Sequence, residues 1–218
     1  MSLTKMYSTR RSRLLILLVT SLTVPMLANA QEWQTFVDQD EFFAVNVPGE
    51  PEVTTVLYAS EWGGQLPAKI YSLTAKGVDY RITVVNYGTD DTSYVQVDDH
   101  TDDDFPWLYD FRGSIAYAAH NIRKRGGKVT FDAWHHIEMV EGHQLQITHE
   151  DGSRTYAGIY LYEDTGRLYI LEAKAPKGAL PQGLFQQSLN FLDEDGNRVR
   201  YVLNPDGSQE RRKDITSY

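Results

Sequence analysis

Four histidines lie close together in the chain and are its strongest candidates for metal chemistry: His135, His136, His143 and His149. Neutral imidazole is the commonest protein ligand of transition metals, and the stretch 129–150 is predicted to form a β-hairpin. Side chains alternate across a strand, so His135 and His136 point to opposite faces and at most three of the four can converge. We therefore take His135, His143 and His149 as candidate metal ligands. The alternative is a set of polar side chains on a solvated hairpin face.

A row of tyrosines is the candidate for ligand binding. Tyr156, Tyr160 and Tyr162 share one face of a predicted strand, and Tyr169 on the next strand can join them. Tyrosine binds sugars or peptides through a flat apolar ring with a polar tip. The same row also fits a sheet face packed into a core, and we expect that role for Tyr160.

Two acidic runs offer oxygen ligands for calcium. One occupies residues 98–104 and the other residues 193–197. Neither has the spacing of an EF-hand, because in the second run Gly196 precedes the third ligand position and Asn204 stands where the bidentate glutamate belongs. A solvated loop and a helix-capping cluster are the favoured interpretations.

The common catalytic motifs are missing from the sequence. It has no Gly-x-Ser-x-Gly elbow, no phosphate-binding glycine loop, no dinucleotide fingerprint and no His-Glu-x-x-His pattern. Pairs of carboxylates such as Asp132 and Glu138 are too common here for any pair to stand out. We expect a binding protein rather than an enzyme, and we assign no catalytic residue and no cofactor.

The first 30 residues have the order of a cleavable export signal. Four basic residues precede an apolar run at 14–22, and the small residues Ala28 and Ala30 follow it. The apolar run is too short for a permanent membrane span. We expect cleavage between Ala30 and Gln31 and a periplasmic or secreted protein. The adjacent arginines leave both general secretory and twin-arginine export open.

Charge and cysteine content exclude several functions. The chain has 218 residues and a formal net charge of −9, and removing the four basic residues of the signal leaves −13. Nucleic acids and anionic membranes require a basic surface, so neither is an expected partner. Without cysteine there are no disulfides, cysteine zinc sites, thiol catalysis or lipoprotein acylation. An envelope protein or a small molecule remains as the expected partner.

Short runs rich in β-branched and aromatic residues, separated by glycine, proline and aspartate turns, predict the strands that must position these side chains. The predicted strands cover residues 33–37, 42–47, 53–58, 69–74 and 80–87, then 129–140, 144–150, 154–162 and 167–173. Glu141-Gly142 is predicted as the turn between the sixth and seventh strands.

A helix is predicted at 106–124, between the two strand blocks. Pro106 suits a first helical position, and Gly126 and Gly127 end the pattern. Apolar residues recur at helical spacing, at Leu108, Phe111, Ile115, Ala118, Ala119 and Ile122. Pro181 opens a shorter predicted helix, and the polar tail is expected to be a hairpin or disordered.

These elements predict an α+β domain in which helices cover a mainly antiparallel sheet. The chain also resembles a group of exported bacterial proteins of uncharacterised function, which we associate with the PsbP/DcrB-like α/β/α sandwich. The resemblance rests on Trp33-x-x-Phe36, Phe43-x-Val45-x-Val47-Pro48, Gly166-Arg167-Leu168-Tyr169 and Phe185-x-x-Ser188-Leu189. It implies a fold and a non-enzymatic binding role, and it brings no catalytic residue.

The sequence thus predicts a signal peptide at 1–30, one α+β domain at 31–195 and a polar tail at 196–218. Its predicted function is an exported, soluble, non-enzymatic module that binds a protein partner or a small ligand. The alternative is a metal-binding protein or metal-dependent enzyme that uses the hairpin histidines.

Overall fold

Antiparallel strands make up most of the chain that the structure describes, which is residues 33–88 and 106–212 of a computed structural model. Two α-helices accompany them in this part of the chain. In chain order the elements are β1 (Gln34–Asp38), β2 (Phe43–Val47), β3 (Glu52–Ala59), β4 (Gln65–Ala75), β5 (Val78–Asn86), α1 (Pro106–Arg123), β6 (Lys128–Ile137), β7 (Val140–Thr148), β8 (Arg154–Tyr162), β9 (Arg167–Ala175), α2 (Gly183–Gln186), β10 (Asn190–Phe191), β11 (Tyr201–Leu203) and β12 (Gln209–Arg211).

Seven of the strands form one sheet in the order β3-β4-β5-β9-β8-β7-β6, with every neighbouring pair antiparallel. Two meanders, β3 to β5 and β6 to β9, join where β5 pairs with β9. Among the described residues, the sheet therefore ends at β3 on one side and at β6 on the other. The strand predictions are confirmed to within a few residues at most ends.

Helix α1 packs on one face of this sheet. Its side chains Ile115, Ala118, Ala119 and Ile122 are buried and share a core cluster with residues of β7, β8 and β9. The predicted helix at 106–124 is confirmed, and its end at Arg123 agrees with the glycine pair that follows. The predicted inward positions Leu108 and Phe111 lie outside the described side chains.

A second, smaller sheet covers the opposite face. Its order is β1-β2-β10, so a strand near the end of the domain pairs with one near its beginning. Phe43 of β2, Phe191 of β10 and Phe185 of α2 are fully buried against this face. Burial of such large rings is the main stabilising contribution of this layer.

The predicted α+β sandwich with helices covering the sheet is wrong. The protein is predominantly antiparallel β-sheet, and one face of the main sheet is covered chiefly by another sheet. Two structural features explain the difference between the predicted and the observed cover of the sheet. The segment after Pro181 forms a single helical turn and then enters β10, and β1 pairs with β2 instead of joining the main sheet.

The turn between β6 and β7 also differs from the prediction. Glu138 and Met139 form it, with φ values of +49° and +69°, although neither is glycine. Gly142 lies inside β7 instead. A Cβ atom there would come within 2.2 Å of Cδ1 of Tyr160, so this glycine leaves room for the tyrosine ring.

The polar tail folds back as a hairpin in the described residues. Strands β11 and β12 pair antiparallel, which is one of the two forms left open for the tail, and Arg211 on β12 forms an ion pair with Asp193. Within residues 33–88 and 106–212, no helix is both long and apolar enough to cross a membrane. The predicted signal peptide at 1–30 lies outside the described residues.

Candidate functional site

The three candidate metal ligands do not meet in the structure. His143 lies on the α1 side of the sheet, with Nε2 at 2.5 Å from Oδ1 of Asp132 and 3.2 Å from Nη2 of Arg123. His135 lies on the opposite face, where Nδ1 is 3.2 Å from the hydroxyl of Tyr160. His149 follows the end of β7 and contacts the hydroxyl of Thr155 through Nε2.

No group of three or more metal-ligating side chains occurs in the part of the chain that the structure describes. Each candidate histidine instead has its own local partner. Partial burial and the neighbouring His136 lower the pKa of His135, which favours its neutral form. The geometry therefore gives the alternative prediction of a metal site no support.

Asp132 is the centre of the cluster around His143. Both its oxygens receive hydrogen bonds from the Arg123 guanidinium, at 2.8 Å and 2.7 Å, and these bonds lower the pKa of the carboxyl group. The cluster ties α1 to β6 and β7, which is a structural role. The other predicted carboxylate, Glu138, lies in the turn after β6 and is 3.6 Å from Nε of Arg200.

The candidate tyrosines lie in the core between the two sheets. Tyr156, Tyr160, Tyr162 and Tyr169 are at most 4% exposed. The ring of Phe191 lies at the centre of the group, with centroids 6.4, 5.1 and 5.6 Å from those of Tyr160, Tyr162 and Tyr169. Burial of this kind supports the core role that we expected for Tyr160.

Three of the buried tyrosines, Tyr160, Tyr162 and Tyr169, form hydrogen bonds through their hydroxyl groups. Tyr160 accepts a hydrogen bond from Nε2 of Gln144 at 3.2 Å, and burial raises its pKa to about 12. Tyr169 donates to the carbonyl oxygen of Glu41 at 2.9 Å, and Tyr162 donates to Oδ2 of Asp164 at 2.8 Å. Of the four residues, Tyr162 also lines an open cleft.

This cleft has a volume of about 580 Å³, which is within the usual range for small-ligand sites. It lies beside the turn after β1, the turn between β8 and β9 and the loop after β10. We call it the acidic cleft. Its wall includes Phe42, Tyr162, Asp164, Arg167, Asp193, Glu194, Asp195 and Arg211.

Arg167 is held rigidly at the wall of the acidic cleft. Its Nε donates to Glu41 at 2.8 Å, and its Nη1 donates to the side chain of Asn86 and to the carbonyl oxygen of Thr165. The side chain is only 13% exposed. Its Cζ lies 5.7 Å from the centroid of the Phe42 ring, within the range of a cation–π contact.

Phe42 adopts an unfavourable backbone conformation at this wall. Its φ is +57°, a left-handed value that costs a bulky side chain about 1 kcal/mol or more. Its amide donates to the carbonyl oxygen of Gln39 and closes the turn between β1 and β2. Glycine normally occupies such a position, so the ring is kept here at a cost in backbone energy.

Negative charge is in excess in the acidic cleft. Four carboxylates face two guanidinium groups, and both guanidiniums already have carboxylate partners. Asp164 accepts the Tyr162 hydroxyl, whereas Glu194 and Asp195 form no ion pair within residues 33–88 and 106–212. Their charge is therefore available to a positively charged group.

The second acidic run contributes to the cleft without resembling a calcium loop. Asp193 accepts hydrogen bonds from the backbone amides of Asp195 and Asn197 through Oδ1, which shapes a tight turn with Gly196 at φ +78°. Its other oxygen binds Arg211. The first run, at 98–104, lies outside the described residues.

Sequence reasoning found only part of this site. Tyr162 and the run at 193–197 were candidates, but Phe42, Asp164 and Arg167 were not. A signal for Phe42 exists, because residues 38–42 form a turn between strands that lacks the glycine such turns normally use.

Comparison of the chain with protein-family models, curated proteins and solved structures gave no match.

Proposed function

We propose that this chain is an exported, non-enzymatic module that holds a small organic cation in the acidic cleft. The observation that carries the proposal is the pair of carboxylates, Glu194 and Asp195, that face the cleft without a cationic partner among the described residues. A ligand ammonium group would neutralise them. The Tyr162 and Phe42 side chains line the same cleft and give the carbon chain of such a ligand an apolar contact.

The size of the acidic cleft favours an organic ligand over a bare ion. A metal ion needs several ligands converging within about 2.0 to 2.6 Å. The residues that the structure describes contain no such group, whereas about 580 Å³ accommodates a small molecule. A flexible amine of several carbons fills this space and presents more than one charge.

The fixed elements of the wall support a binding role. Arg167 is held by three acceptors, and Phe42 keeps its ring in place despite its strained backbone. Side chains that are already ordered lose little entropy when a ligand arrives, so more of the contact energy appears as affinity. Unfavourable backbone conformations of this kind are found preferentially at ligand sites.

Export is the second part of the proposal. It rests on the basic, apolar and small residues in order at 1–30. In its native host the protein should begin at Gln31, in its open or cyclised form, and should be recovered from the periplasm or the medium. Mass spectrometry of the intact protein tests this, and a terminus at Met1 would refute it.

Titration calorimetry with spermidine tests the binding. Spermidine should bind at one site per chain, and the double variant Glu194→Gln, Asp195→Asn should lose most of the affinity. Glu150→Gln, Asp151→Asn is the matched control, because it also removes two charges and both residues are exposed at the turn between β7 and β8, outside the cleft. Equal weakening by both changes would indicate unspecific attraction to an acidic protein and would contradict the proposal.

A further inference from the structure

The outer edge of β6 is the most conspicuous surface that the acidic cleft does not use. β6 is the last strand of the seven-stranded sheet, and it is ten residues long. Phe131 is 43% exposed and Trp134 is 54% exposed, although both are large and apolar. Soluble proteins normally protect a long edge strand with charges, proline or a covering element.

The side chains of β6 are sorted between the two faces of the sheet. Asp132 contacts Arg123 of α1, and the Trp134 ring packs edge-on against that of His143 at 5.2 Å, so these two residues lie on the helix side. His135 contacts Tyr160 on the opposite side. By alternation, His136 lies on the helix side, while Phe131 and Ile137 lie on the side of His135.

We propose that β6 pairs antiparallel with β6 of a second copy of this chain, with Trp134 on the two-fold axis. A two-fold axis perpendicular to the sheet keeps each face on its own side, so only residues of the same face can oppose each other. With Trp134 on the axis, Asp132 opposes His136 of the second copy and Phe131 opposes its Ile137. Both contacts occur twice.

This register is chemically self-complementary. It places a carboxylate opposite an imidazole, an aromatic ring opposite an aliphatic side chain and one tryptophan ring beside another. The Asp132 side chain is 33% exposed, so it remains accessible beside its contacts with Arg123 and His143. A shift of register between Val129 and Phe131 limits the regular part of β6 to the segment that pairs.

The other edge strand of the sheet, β3, is a weaker candidate for self-pairing than β6. β3 exposes Val53 and Leu57, at 53% and 67%, but it has no opposite charges that self-pairing would bring together. A contact of β3 with β6 would be heterologous and would extend into a filament instead of closing as a dimer. The symmetric pairing of β6 is therefore the arrangement that the observations favour, and it does not depend on the ligand of the acidic cleft.

Sedimentation velocity over a concentration series, on protein purified from cells that express the full chain, measures the pairing. The protein should form a dimer, and Trp134→Lys should weaken it by about tenfold or more because two ammonium groups would meet at the axis. His136→Asp should weaken it as well, since it faces Asp132, while His136→Lys should not. Leu57→Lys on β3 is the matched control and should leave the dimer intact.

Single cysteine substitutions locate the two-fold axis of the dimer, because the chain contains no other cysteine. Residues directly opposed in an antiparallel pair have Cα atoms about 4.5 to 5.5 Å apart, within reach of a disulfide. Trp134→Cys should give a disulfide-linked dimer on mild oxidation, and Trp62→Cys, at an equally exposed tryptophan, should not. A monomer at every concentration, or a dimer that Leu57→Lys dissociates and Trp134→Lys does not, would overturn the proposal.

Discussion

The guanidinium of Arg167 lies over the ring of Phe42, with Cζ 5.7 Å from the ring centroid, while Phe42 itself has a φ of +57°. The two residues are far apart in the sequence, and the contact joins the turn after β1 to the start of β9. Arg167 is 13% exposed and is fixed by hydrogen bonds, whereas Phe42 has a strained backbone. Together they form a preordered part of the acidic cleft.

Two substitutions of Phe42 distinguish the energetic cost of its backbone conformation from the effect of its ring contact with Arg167. Phe42→Gly removes the left-handed penalty and Phe42→Ala does not, so the glycine variant should be more stable by about 1 kcal/mol. Both variants lose the contact with Arg167 and should bind spermidine more weakly. Urea unfolding compares the two variants, and equal stabilities would show that the turn does not hold Phe42 in the left-handed region.

Tyr160 tests the core between the two sheets. Tyr160→Ala should destabilise the protein by about 3 to 5 kcal/mol, because it removes a fully buried ring. Tyr160→Phe should cost only about 1 kcal/mol, since it keeps the ring and loses the hydroxyl contacts with Gln144 and His135.

Ile159 is the control on the opposite face, and it is equally buried. Ile159→Ala should destabilise by about 2 to 5 kcal/mol. Thermal and urea melts compare the three variants. An unchanged midpoint for Tyr160→Ala beside a large loss for Ile159→Ala would contradict the core role of the tyrosine.

Gly142 tests the close approach of β7 to the Tyr160 ring. A Cβ atom at this position would come within 2.2 Å of that ring, so Gly142→Ala should destabilise by about 1 to 3 kcal/mol. Gly113→Ala is the matched control, because α1 leaves open space there and alanine should stabilise the helix by about 0.8 to 1 kcal/mol. A neutral Gly142→Ala, measured by urea unfolding, would show that the Tyr160 ring and the Ile159 carbonyl group, both of which the added Cβ would meet, can move aside.

His135 should make stability depend on pH. Burial lowers its pKa in the folded protein below 6.5, so the unfolded chain binds the proton more readily. The free energy of unfolding should therefore decrease as the pH falls through about 6.5 toward the lower folded value. His135→Gln should flatten this part of the profile, and His120→Gln, at an exposed position of α1, should not. Equal profiles for the wild type and His135→Gln would refute this assignment.

Local pattern predicted most of the elements but not how they assemble. Alternating side chains located the strands, and the proline start and glycine stop located α1. The pairing of Ala44 with Asn190 that builds the smaller sheet joins distant parts of the chain, and no local signal specifies it. Helices were therefore predicted on both faces of the main sheet, whereas a second sheet covers one of these faces.

The candidate site shows the same limit. Tyr162 was one of four candidate ligand contacts on a row for which core packing was the other interpretation; it is 4% exposed and lines the acidic cleft. Phe42 and Arg167 become neighbours only through tertiary packing, so no local pattern indicates their contact, although the turn at 38–42 without glycine does mark Phe42. The histidines were grouped by closeness in sequence, but the alternation of the strands sends His135 and His143 to opposite faces.

A spermidine titration followed by amide signals in ¹H–¹⁵N NMR spectra tests whether the acidic cleft binds an organic cation, because it locates the ligand on the folded protein. The amide signals of Tyr162, Asp164, Arg167 and Asp195 should shift together and saturate, and the variant Glu194→Gln, Asp195→Asn should suppress these shifts. Shifts spread over exposed carboxylates such as Glu150, or an acidic cleft whose signals stay unchanged at saturating spermidine, would contradict the account.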